Sequence, residues 1–135
     1  MTDQLISKEN LSKNLIKQIF EDAYYDVIVE DDGQLKIKDQ YSYYVDVDKK
    51  GRFIAFWCNI LLNEKSPLSK RYEFVNDINY NLIAIRVSEH KKIFSFDHYL
   101  WVEGGVTKKN IVLAFKNFIS LVDTALARGV DEIFA

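Results

Sequence analysis

Residues Ile93–Ala127 read IFSFDHYLWVEGGVTKKNIVLAFKNFISLVDTALA, and this stretch decides the fold. Its first ten residues alternate: Phe94, Phe96, His98, Leu100 and Val102 take one side, and Ser95, Asp97, Tyr99 and Trp101 the other. Successive strand side chains point to opposite faces, so this is a strand. Glu103–Val106, with paired glycines, makes a tight turn, and Thr107 is placed to cap the helix that follows. In that helix Ile111, Ala114, Phe115, Phe118, Leu121, Val122 and Ala125 form an apolar stripe at helical spacing, with Val112, Ile119 and Leu126 flanking it, and Gly129 stops it. Lys108 and Lys109 sit in the first turn, where the helix dipole disfavours cations.

Upstream segments are suited to pack against this unit. Ser7–Asn10 is read as a helix start, with Leu11, Leu15, Ile16, Ile19, Phe20 and Ala23 on the inner face of a helix from Lys8 to Asp22. Alternating strands are expected over Tyr25–Asp31, Gln34–Lys38 and Tyr41–Asp48, with Asp32–Gly33 and Lys49–Gly51 as turns. Arg52–Leu62 is apolar on both faces, which suits a central strand or an interface. Ser66–Pro67 opens a second helix, with Ser66 as cap and Pro67 at the first helical position, whose inner face is expected to carry Leu68, Tyr72, Val75 and Ile78 or Asn79. Leu82–Ser88 is a further strand, with Ile83, Ile85 and Val87 on one side. Val130–Ala135 is read as a loose tail. The order α-β-β-β-β-α-β-β-α is that of an α+β fold, one antiparallel sheet packed with three helices, in a single domain over 1–135.

Totals narrow the function classes. Eighteen basic and 20 acidic residues are interspersed, so no basic stripe suggests nucleic acid. One cysteine, Cys58, excludes an internal disulfide. The start of the chain, Met-Thr-Asp-Gln-Leu, lacks the charged-then-apolar pattern of a signal peptide, and no apolar run approaching about 18 residues stands out as a membrane span.

No catalytic constellation emerges. Gly104–Gly105 lacks the glycine and lysine spacing of a phosphate loop and reads as a plain turn. Asp97 and His98 are strand neighbours on opposite faces, so they do not form a pair. Two histidines and one cysteine, far apart, show no metal-ligand spacing. Cys58 lies in the most apolar strand and reads as a buried small hydrophobe. Glu30, Asp31, Asp32, Asp46 and Asp48 read as a solvated sheet face rather than acid–base pairs. Asn76 and Asn79 are expected to hydrogen-bond backbone at the end of the second helix. No catalytic residue, cofactor-binding residue or metal ligand is assigned.

Aromatic residues remain. Trp57, Trp101, Tyr99 and Tyr44 fall away from the main core faces of their strands. They either anchor an interface or fill a core covered on both sides.

The segment Phe74-Val75-Asn76-Asp77-Ile78-Asn79, followed by a strand pair and by Leu100-Trp101-Val102-Glu103-Gly104-Gly105-Val106-Thr107, resembles the YbjN family, described as bacterial sensory transduction regulators. The resemblance covers about Tyr72 to Leu121. It implies a fold like that of type III secretion chaperones and a cytoplasmic, bacterial, non-enzymatic protein that binds a protein partner or itself, as a homodimer. Trp57, Trp101, Tyr99 and Tyr44 are then the expected contact residues. The alternative is a small-molecule binder or enzyme using a pocket between sheet and helices, which would need His98, Asn76 or Asn79 to converge there.

Overall fold

A computed structural model describes residues 4–135. The expectation drawn from the first residues of the chain, that no signal peptide is present, rests in part on Met1–Asp3, which lie outside the described residues. The elements are α1 (Lys13–Asp22), β1 (Val27–Val29), β2 (Leu35–Lys38), β3 (Ser42–Val47), β4 (Phe53–Leu61), α2 (Leu68–Asn81), β5 (Arg86–His90), β6 (Ile93–Trp101) and α3 (Lys108–Arg128), then a 3-10 turn at Asp131–Ile133. Six strands form one sheet in the order β1-β2-β3-β4-β6-β5. The antiparallel α+β architecture expected from the sequence is therefore present. Hairpins fix its two edges, with Ile28 opposite Lys36 and Ser88 opposite Ser95. The chain divides into two compact units: the residues up to Phe56 with Tyr99–Lys116, and Trp57–His98 with Asn117–Ala135.

In the first unit, α1 is shorter than expected. Ser12 caps it, its hydroxyl accepting from the Leu15 N–H at 3.1 Å. Ser7 is unavailable as a cap because its hydroxyl donates to Glu9 and its N–H to the Asn10 side chain. Next to it, Ile6 and Val106 exchange backbone hydrogen bonds of 2.7 and 2.8 Å, which holds the chain extended there. Ile16, Ile19 and Phe20 are buried from α1, and Leu35, Ile37, Tyr43, Val45, Ile54 and Phe56 from the strands. Phe115 of α3 stands at the centre. Its ring meets Phe20, Tyr25, Tyr43 and Phe56 edge-on, with centroids 5.0–5.8 Å apart, a favourable geometry for aromatic quadrupoles.

Entry into α3 follows the expected turn. Gly104 and Gly105 have φ of +86° and +98°, a region most other residues avoid. Thr107 caps the helix by accepting from the Asn110 N–H at 3.0 Å. Among the described residues α3 is the one helix long and apolar enough, by length and composition, to cross a membrane, a run the sequence pattern had not singled out. Its stripe Ile111, Phe115, Phe118, Val122 and Ala125 is fully buried in the fold, as the periodicity predicts.

The second unit corrects several expectations. Helix α2 buries Arg71, Phe74 and Ile78, whereas Leu68 and Tyr72 are more than half exposed. The inner face is thus offset from the one read by apolarity. A guanidinium occupies an inward position because it is fully provided for: Arg71 donates to Glu89 at 3.0 Å, to the Ser66 carbonyl at 2.6 Å and to the Asn63 carbonyl at 3.4 Å. Buried charge is tolerated when paired and hydrogen-bonded. Ser66 does not cap α2; its hydroxyl donates to the Asn63 carbonyl at 2.6 Å. Strand β5 begins only at Arg86, so Ile83, outside it, is 85% exposed and does not share the buried side with Ile85 and Val87.

The tail is docked, not loose. Ile133 is buried, and the Phe134 ring packs on Phe74 and Phe94 at 5.5 and 5.9 Å. Ala135 donates to the Leu61 carbonyl. Gly129 permits this approach, since a Cβ there would stand 2.7 Å from the Phe134 ring.

Candidate functional site

Strand parity sorts the aromatic residues. On β4, Ile54, Phe56 and Cys58 are buried, and Phe53, Ala55 and Trp57 are half-buried. On β6, Phe94 and Phe96 are buried, while Tyr99 is 42% and Trp101 56% exposed.

In the first unit, Tyr99 and Trp101 come together. Phe53 stands between them, 5.3 Å from each ring centroid and edge-on to both. Arg52 lies 5.7 Å from the Phe53 centroid and 6.0 Å from that of Trp101, within range for a cation over a ring. Asp48 holds Arg52 there, accepting from its Nε at 2.7 Å and from its backbone N–H at 3.1 Å. The hydrogen bond from Arg52 lowers the Asp48 carboxyl to about 2. The result is an apolar strip with an oriented guanidinium at its end, a surface with the makings of an interface anchor.

The other two expected contact residues, Tyr44 and Trp57, are each half-buried. Tyr44 of β3 lines a cavity of about 330 Å³ with Glu30, Asp31, Asp32 and Gln34. Trp57 belongs to the second unit. Phe53 and Arg52 were missing from the sequence-based set. Phe53 shares strand parity with Trp57, and Asp48 and Arg52 bracket the Lys49–Gly51 turn with opposite charges, so both signals were present.

The polar groups of the pocket alternative do not converge. Asn79 spends its amide on Val87, donating to the carbonyl at 2.9 Å and accepting from the N–H at 2.8 Å. It thus ties α2 to β5, the backbone role expected of it. Asn76 is exposed, and His98 is half-buried on β6. Burial lowers the His98 pKa below its usual 6.5, opposed by a backbone hydrogen bond with Ala84. None of the three lines the cavities described for the two units. Cys58 is buried, and desolvation pushes its thiol up to about 12, far from a thiolate nucleophile. Asp46 pairs with Lys13, Glu30 with Lys36, and Asp97 with Arg86. Among the described residues no group of three or more His, Cys, Asp or Glu side chains is placed to hold a metal ion.

The YbjN family model, described as "Putative bacterial sensory transduction regulator", matches residues 12–128. The chain belongs to the YbjN family. The crystal structure of YbjN from E. coli, a "putative transcription regulator", superposes with a TM-score of 0.73 at 10% identity, over 85% of this chain and 88% of that one. The Yersinia pestis type III secretion chaperone SycH, crystallised in complex with a stable fragment of YscM2, superposes with a TM-score of 0.56 at 11% identity, over 84% and 96%. At such identities the likeness is one of fold. No curated protein matches the chain.

Proposed function

We propose that this YbjN-family chain acts as one non-enzymatic domain, a bacterial cytoplasmic regulator or chaperone-like protein. It binds a protein partner or a second copy of itself through the outward sheet face that carries Tyr99 and Trp101. The observation supporting this reading is the strip Phe53–Tyr99–Trp101: large rings that solvent reaches, gathered beside an oriented Arg52. Aromatic and arginine side chains dominate binding energy at protein interfaces. The fold shared with SycH, a protein crystallised with a partner fragment, is consistent with it.

Replacing Trp57 and Trp101 together by Ser tests it. Light scattering over a concentration series should show loss of self-association, or pull-down from the source cell loss of a captured partner, with the near-native circular dichroism kept. Unfolding of the double variant while Trp101→Ser alone assembles normally would remove the sheet face from consideration.

A further inference from the structure

A second surface of the first unit lies away from the aromatic strip. The C-terminal end of α1 and the first half of α3 bound an open groove of about 370 Å³. Ile19, Ala23, Val112 and Leu113 supply its apolar lining, with Leu113 43% exposed. Lys108, Lys109 and Lys116 supply cations, and Asp22 at the end of α1 is the one acid in the lining. Among the described residues these three lysines form no ion pair.

Two of the lysines sit where the helix dipole repels them, a local cost that no ion pair among the described residues offsets. Such uncompensated choices concentrate at functional sites. Lys108, Val112 and Lys116 follow at four-residue spacing, so they share one side of α3. From Lys108 to Lys116 the charges span roughly 12 Å along the axis, at 1.5 Å per residue. A single-headed amphiphile would use one of them. A linear ligand with several carboxylates would use all three.

We infer that this groove binds an acidic amphipathic peptide segment, whose carboxylates meet Lys108, Lys109 and Lys116 and whose apolar side chains rest on Val112 and Leu113. The Asp22 carboxylate orients it, keeping the acidic side of the segment along α3. The groove reading does not depend on the aromatic strip.

The test uses the full chain and a fluorescein-labelled 16-residue helical peptide carrying Glu at i, i+4 and i+8 with Leu beside each. Fluorescence anisotropy should show saturable binding that weakens as salt rises. Lys109→Glu with Lys116→Glu should weaken it at least ten-fold, and Leu113→Ser several-fold, with circular dichroism unchanged. Trp101→Ser should leave it within two-fold, which separates this site from the sheet face. Absence of binding, equal binding of a peptide with Lys in place of Glu, or full affinity in the charge-reversed variant would overturn the inference. Displacement of the peptide by decanoate at lower concentration than by unlabelled peptide would also overturn it, in favour of an amphiphile site.

Discussion

Phe56 and Phe53 stand three residues apart on β4, on opposite faces of the same strand. Phe56 joins Phe20, Tyr25, Tyr43 and Phe115 in a cluster fully shut from solvent at four of its five rings. Phe53 joins Tyr99 and Trp101 in a strip of similar ring geometry that solvent reaches. Edge-on contacts alone therefore do not make a core. What closes the first cluster is a helix, α3, which drives Phe115 between four other rings. The second has Arg52 at its margin. Removal of rings from water, not ring–ring geometry, supplies most of the stabilisation.

The contrast can be broken most directly at Phe115. Phe115→Ala should cost about 3–5 kcal/mol in urea unfolding, since it removes a fully buried ring and leaves a cavity. Phe53→Ala should cost about 1 kcal/mol, the scale of its aromatic contacts alone. Equal losses at the two positions would mean that the strip is core. The smallest effect concerns Asp48. Its carboxyl is lowered from the usual 3.8 to about 2, mainly by the Arg52 hydrogen bond. A carboxylate whose folded pKa is depressed stabilises the fold above its unfolded value. The Asp48 contribution should therefore be complete above about pH 4 and vanish as pH falls through about 2. Carboxyl NMR should find that midpoint in the native chain and move it upward in Arg52→Ala, where the guanidinium beside Trp101 is gone.

Helix α3 was legible because three local signals agree: a capping Thr107, an apolar stripe at helical spacing and a terminating Gly129. Helix α2 was misread for a physical reason. Arg71 looks like a solvent residue until Asn63, Ser66 and Glu89 are brought around it, and Leu68 and Tyr72 look like core until nothing covers them. The final six residues carry too short a pattern for periodicity to register, yet Ile133 and Phe134 dock because Gly129 leaves room. At the candidate site, parity identified Tyr99 and Trp101 as outward-facing. It did not bring in Phe53 and Arg52.

By itself the sequence determined the α+β element order, the two-residue alternation of the strands and the stripe of α3. All three follow from periodicities of two and 3.6 residues that are local to the chain. Only the tertiary structure decided which outward rings meet, which helix face goes inward and where lysines border an apolar groove. Those outcomes depend on which distant segments arrive to cover, pair or leave open a given side chain, and no local spacing encodes that.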